Sequence, residues 1–280
     1  MKIGLALSGG GVKGAAHIGA IKAFEENNIE ISAVTGTSIG SIVAALFAMG
    51  YNSSQMLDIF EHFAKNIFKA EPNYFMSNIK ASRRILGFGA LSGESIETAI
   101  DECAKLKNIK RITDVKMPIS IPTVDIIDCK EYVLTNRIVQ GDEKYINDIS
   151  IGKAVRASCS YPVVFAPCEY KSYKFVDGGV LDNIPIKEVK KLGVDKTITI
   201  KFTPTKNTNP KNIYDMAFRS IDVIFDDRDV DRIKESDYIV DIELESLCTF
   251  NIKKIRHCYE RGYIETTANI RKIKEKLGIK

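Results

Sequence analysis

The sequence predicts an α/β fold, a three-layer sandwich with a central, mostly parallel sheet. Two observations carry that expectation: short apolar strands alternate with helix-period segments through the N-terminal third, and glycine-bearing turns separate them. With 280 residues, 45% hydrophobic and 27% charged, 19 Gly and 8 Pro, the chain can bury about three quarters of its unfolded surface, which excludes disordered, collagen-like and low-complexity classes.

Lys2 to Leu7 is short and apolar, as a central strand should be. Ser8 to Gly14 is a loop, and Ala15 to Asn27 places Ile18, Ile21 and Phe24 at helical spacing. Ile31 to Val34 is a second strand and Ile39 to Met49 a second helix, stopped by Gly50. Met56, Ile59, Phe60, Phe63, Ile67 and Phe68 share one face of a third helix, and Ser95 to Cys103 makes another. Pro72 to Phe88 is aromatic and aperiodic, compatible with a cover or acyl-contact segment and equally with a surface loop.

Met117 to Ile127 and Lys130 to Thr135 form a hairpin about Asp128. Ser150 to Ser158 is a short helix, Tyr170 to Val176 a strand, Ile184 to Leu192 a helix with Pro185 in its first turn, and Lys196 to Phe202 a strand. A polar linker, Thr203 to Asn212, leads to a helix, a strand at Tyr238 to Leu244 and a basic final helix. No repeat or sharp boundary divides the chain. Residues 1–280 are therefore expected as one domain, with a motif-bearing core over 1–200, a cover within 54–110 and a C-terminal helical part over 203–280.

A net charge of +4 is too weak to argue for nucleic acid, which requires a concentrated basic face. It is uneven, however: residues 253–280 carry nine Lys/Arg against three Glu, or +6, leaving −2 for the rest. Such a basic helix reads as a solvated face, with transient contact to an anionic membrane surface as the minority reading. The uncharged run Ile31 to Leu57 is interrupted by Thr35, Gly36, Thr37, Ser38, Gly40 and Ser41, so a buried strand and helix explain it better than a membrane span. No export signal is read after Lys2, and Cys103, Cys129, Cys159, Cys168, Cys248 and Cys258 lack CxxC or zinc spacing; reduced thiols in a cytoplasm are expected.

The loop Gly9-Gly10-Gly11-Val12-Lys13-Gly14 lies between strand and helix, where backbone N–H groups favour negative charge. Gly9, Gly11 and Gly14 satisfy a dinucleotide-binding GxGxxG, but the second strand ends in Val34-Thr35-Gly36-Thr37 with no acid for a ribose. A nucleotide P-loop needs Lys and Ser/Thr after its last glycine, and Ala15-Ala16 stand there instead. The remaining use is an oxyanion hole, formed by the amides of Gly10 and Gly11 with Val12 as a third candidate.

That use calls for a nucleophile, and Gly36-Thr37-Ser38-Ile39-Gly40 is a GxSxG between strand and helix, the context of a nucleophile elbow. A serine needs a base. His17 and His62 read as packing or surface residues, and His257 sits among Lys253, Lys254 and Arg256 on a helix that looks solvent-facing. Asp177, in Phe175-Val176-Asp177-Gly178-Gly179 at a strand end, is the better candidate, against a plain Asx turn. Asp125, Asp128 and Asp182 lack that context.

Together GGGVKG at 9–14, GTSIG at 36–40 and DGG at 177–179 resemble the patatin-like phospholipase family, in particular its small bacterial members. The stretch Ser158 to Pro167 and Asn183-Ile184-Pro185 are similar to that family too, and the resemblance covers about residues 1–200. It implies a patatin-like variant of the α/β-hydrolase type with a Ser38–Asp177 dyad, an oxyanion loop over Gly9, Gly10, Gly11, Val12 and Gly14, elbow glycines Gly36 and Gly40, and supporting Gly178 and Gly179. It further implies hydrolysis of acyl esters in lipids without a metal or other cofactor. The rival classes are a lipid-binding module with a degenerate site and a nucleotide-dependent oxidoreductase.

Overall fold

A computed structural model describes residues 1–70, 91–137, 141–203, 232–244 and 252–279, together with 216, 219–221 and 223; for 65–70 it describes the backbone alone. The proposed cover at Pro72 to Phe88 and most of the 203–212 linker lie outside the described residues. The chain opens with β1 (Ile3–Leu7), a 3-10 turn (Gly11–Gly14), α1 (Ala15–Glu26), β2 (Ala33–Gly36), α2 (Ile39–Ala48) and α3 (Ser53–Ala70). Next come α4 (Glu94–Leu106), β3 (Ile119–Asp125), β4 (Lys130–Thr135), β5 (Tyr145–Ile146), α5 (Ile151–Ser158), β6 (Cys168–Tyr170) and β7 (Tyr173–Asp177). The rest is α6 (Gly179–Asp182), α7 (Ile186–Lys191), β8 (Lys196–Phe202), β9 (Tyr238–Ile242) and α8 (Ile255–Leu277).

The strands form one sheet in the order β5-β4-β3-β2-β1-β8-β9, with β7 beside β3 and β6 beside β7. The centre, from β3 through β9, is parallel, while β4 and β7 run antiparallel to β3. β1 shows how two faces are served by one period-2 strand: Ile3, Leu5 and Leu7 enter the large core, whereas Ala6 joins Ile184, Ile186 and Val189 under α7. Gly4 faces that second side because Val189 and Val194 leave no room, a Cβ there standing 2.6 Å from Val189 Cγ2. Helices on both faces of the sheet make the three layers.

Four expectations change. The second strand lies two residues later than Ile31 to Val34, at Ala33–Gly36. Tyr170 to Val176 is two strands, β6 and β7, joined by a turn in which Lys171 adopts φ 52°. Ile184 to Leu192 is helical only over Ile186–Lys191, with Pro185 at its N-cap. The final helix is more than a solvated basic face: Ile255, Cys258, Ile270, Ile273 and Leu277 are buried in the large core. It crosses α1 backbone to backbone, since a Cβ on Gly262 would stand 2.0 Å from Ala16 O and one on Gly19 2.0 Å from Tyr259 O.

β3 serves as the common ruler for the middle of the sheet. Its first residues pair with β2, at Val34↔Ile119 and Thr35↔Ser120; its last pair with β7, at Thr123↔Asp177, Val124↔Val176 and Asp125↔Phe175. Between them stands Pro122, a residue that central strands normally exclude for want of an N–H donor. Here it sits where β3 exchanges β2 for β7, and no ladder donor is needed on that side.

Candidate active site

Both motif loops leave the C-terminal ends of neighbouring parallel strands, β1 and β2, where open α/β sheets hold their sites. Ser38 lies between β2 and α2 with φ 54° and ψ −128°, a conformation disfavoured for a residue with a Cβ. Two close approaches hold it there. A Cβ on Gly36 would stand 2.2 Å from Gly40 O, and one on Gly40 2.6 Å from Leu7 O, so glycine alone permits the elbow to close and α2 to press on β1. Thr37 N–H donates to Leu7 O at 3.1 Å and Thr37 Oγ1 to Asp182 O at 2.8 Å. The Ser38 N–H donates to Ser158 Oγ at 3.0 Å, at the C-terminus of α5.

β7 brings Asp177 down to the same place, in the sheet position that β2 has vacated. Gly178 fits between the two chains; a Cβ on it would stand 2.3 Å from Pro122 O and 3.2 Å from Thr37 Cγ2. Asp177 is fully buried, its N–H donating to Ser160 O at 3.0 Å and its Oδ1 accepting from Gly179 N–H at 2.8 Å. The other carboxylate oxygen, Oδ2, is buried without a hydrogen-bond partner. Burial pushes the carboxyl up from 3.8 to about 7, and the Ser38 hydroxyl and Gly179 amide only partly offset that rise.

The glycine loop lies beside the elbow, a Cβ on Gly9 falling 3.3 Å from Ser38 Cβ and 2.5 Å from Asn183 Oδ1. Gly10 and Gly11 adopt φ 152° and 59°, backbone that other residues enter at a cost. The Gly9 N–H is engaged, donating to Asn183 O at 3.2 Å. The amides of Gly11 and Val12 open the 3-10 turn and find no acceptor within it. Gly14 serves packing, since a Cβ would stand 2.5 Å from Ile39 Cγ1, next to the elbow serine.

The hydrogen bond of His17 goes to Ser8 O, while Ser38 N–H is taken by Ser158 and Asp177 Oδ1 by Gly179. His257 is half-buried on α8, His62 is exposed on α3, and His17 is wholly buried beneath the glycine loop. Asp125 accepts from Lys174 N–H at 2.7 Å, Asp128 from Tyr132 OH at 2.8 Å, and Asp182 pairs with Arg232 at 2.9 Å. No described group of three or more His, Cys, Asp or Glu could hold a metal ion, and no described helix is long and apolar enough to cross a membrane. Cys103, Cys129, Cys159, Cys168 and Cys258 are free thiols; Cys248 lies outside the described residues.

Sequence reasoning missed Ser158 as the acceptor for Ser38 N–H, and Pro122 and Asn183 as backbone partners of the two loops. None announces its role locally, because Ser158 acts on the elbow from 120 residues away, Asn183 meets Gly9 from the far end of the motif-bearing core, and Pro122 meets Gly178 from another strand.

Residues 5–190 match the family model described as patatin-like phospholipase. The uncharacterized protein YqhO of Bacillus subtilis is 29% identical over 229 residues, covering 78% of this chain and 77% of that protein. Lysophospholipase NTE1 of Candida albicans is 27% identical over 213 residues, which are 76% of this chain but only 14% of the yeast protein. The crystal structure of VipD from Legionella pneumophila superposes with a TM-score of 0.54 at 14% identity, covering 97% of this chain and 67% of that one, a likeness of fold alone.

Proposed function

The chain belongs to the patatin-like phospholipase family, and on that footing we propose that it is a serine acyl hydrolase cleaving fatty-acyl esters of phospholipids or lysophospholipids through a Ser38–Asp177 dyad. Ser38 Oγ attacks the ester carbonyl carbon as its proton passes to Asp177. The carbonyl oxygen, now an oxyanion, is met by the amides of Gly10 and Gly11, with Val12 beside them. Collapse expels the alcohol, which takes the proton from Asp177 and leaves an acyl-serine. Water then attacks that ester, again giving its proton to Asp177, and the fatty acid leaves as Ser38 recovers its proton.

The observation that carries this reading is a buried carboxyl at about 7 beside the elbow serine. A carboxylate near 3.8 is a poor base for an alcohol, whereas one at about 7 is matched to neutral pH. Gly179 orients it through Oδ1, and Gly178 lets β7 come close enough to Thr37 for the two side chains to meet. The substrate is a lipid or acyl ester, the proposed setting is cytoplasmic with transient contact at a membrane surface, and the chemistry requires no cofactor. Residues 1–280 are proposed as one domain, supported by β9 in the common sheet and by α8 on α1.

The test is fluorophosphonate labelling of Ser38 together with hydrolysis of a panel of phospholipids, lysophospholipids and short p-nitrophenyl esters. Wild type should label and hydrolyse, Ser38→Ala should do neither, Asp177→Asn should lose nearly all turnover, and His257→Ala should keep it. Hydrolysis undiminished in Ser38→Ala would place the activity elsewhere. An unlabelled Ser38 in folded wild type would leave a lipid-binding protein with a degenerate site.

A further inference from the structure

His17 is a fully buried titratable group that the dyad does not use. Its Nε2 lies 2.9 Å from Ser8 O, and since a carbonyl can only accept, Nε2 carries the proton. The Nδ1 lone pair is then buried without a partner. Its ring packs on Phe202, centroids 4.6 Å apart, and the same phenyl lies under Gly10, where a Cβ would stand 2.6 Å from Phe202 Cδ2. Nothing in the packing of α1 requires a polar ring at this position; an apolar side chain would fill it without an orphaned nitrogen.

The contact acts on one peptide plane. Ser8 O is held by His17, and the N–H of the same peptide, that of Gly9, is held by Asn183 O at 3.2 Å. One residue earlier, Ser8 N–H donates to Ile200 O at 3.1 Å. The next residues, Gly10 and Gly11, have backbone angles that glycine passes through freely, so the direction of their amides depends on how the preceding plane is fixed. Among the described residues no backbone acceptor takes the amides of Gly10 or Gly11. We propose that His17 is a positioning residue for the oxyanion site, clamping the Ser8–Gly9 peptide against Asn183 so that the amides beyond it stay turned toward the Ser38 oxyanion. This rests on the hydrolase reading above.

Three variants test it against a merely structural role. His17→Met removes the donor at similar length, His17→Gln keeps an N–H able to reach Ser8 O, and Phe202→Leu keeps the imidazole but removes the ring stacked on it. A clamp that aims a charge-stabilising group should affect the transition state more than the ground state, and small misplacements cost up to about 100-fold in rate. His17→Met should lower kcat by about tenfold or more with KM little changed. It should weaken a trifluoromethyl ketone, which forms an oxyanion on Ser38, by a similar factor, while the matching non-electrophilic alcohol binds as before. His17→Gln should recover most of kcat, and Phe202→Leu should fall between.

Equal loss of affinity for the ketone and the alcohol, or kcat unchanged in a folded His17→Met, overturns the clamp and leaves the hydrolase standing. If His17→Met does not fold, Phe202→Leu decides, and unchanged kcat there overturns it too. Wild type that neither labels nor hydrolyses overturns the hydrolase reading itself, and the clamp with it.

Discussion

Asp177 stands opposite Thr123 on β3, three residues past Ser120, where the same strand pairs with Thr35 of β2. One sheet position is therefore shared end to end by two chain segments running in opposite directions, and the proposed nucleophile and base sit at the junction. That places a carboxyl in a dry setting beside a serine, and its ionisation governs the first two predictions.

The pH dependence of kcat/KM should follow the free base. With the Asp177 carboxyl at about 7, the rate is expected to rise about tenfold per pH unit below that value and to level off above it. Steady-state kinetics from pH 5 to 9 on a neutral ester read it, within about one unit of that midpoint. A plateau extending down to pH 5 would mean an ordinary exposed carboxylate, or another base.

The same group bears on stability with a definite sign. The unfolded carboxyl loses its proton near 3.8 and the folded one near 7, so stability falls as pH rises through that window and is lowest above it. Asp177→Asn, which cannot ionise, should raise the melting temperature at pH 8, by an amount corresponding to about 4 kcal/mol at most. The advantage should shrink below pH 7 and vanish near pH 4. Calorimetry of both proteins across that range checks it; a variant less stable than wild type at pH 8 contradicts it.

Ser158→Ala removes the acceptor for the Ser38 amide, 3.0 Å away, within a fully buried side chain. A buried donor left unpaired costs about 1–3 kcal/mol, and the elbow can relieve it by relaxing from its disfavoured angles. A kcat about tenfold lower is expected, with fluorophosphonate labelling of Ser38 slowed in parallel. Labelling at the wild-type rate would show that the elbow holds its shape without this bond.

Gly262→Ala places a Cβ 2.0 Å from Ala16 O, between two main chains that cannot give way as a side-chain tip can. The expected loss is about 3 kcal/mol, read from urea unfolding. Gly50→Ala is the comparison, since its Cβ meets nothing within 4 Å and only its φ of 82° opposes it, at about 1 kcal/mol. Similar losses for the two would show that the helices part easily.

The motifs were legible because each is a local demand: glycine at 36, 40 and 178 answers a backbone approach that no other residue allows. The β6–β7 hairpin was not, because its turn at Lys171 contains neither glycine nor proline and the flanking residues read as one strand. The buried face of α8 was hidden for another reason. Its contact with α1 is made by Gly262 and Gly19, so the closest packing in that layer leaves little apolar periodicity, and the lysines outside it dominate the pattern. His17 looked like any helical histidine, since its meaning lies in a carbonyl nine residues earlier and a phenyl ring at 202.

The shared sheet position also sets an order of events. Ser38 is made early relative to β7, which can take its place only after more than a hundred further residues have been synthesised, and β8 later still. Contacts so distant along the chain form slowly and late. A ribosome-bound fragment would thus present the elbow without the carboxyl that stands opposite Thr123 until the two halves close.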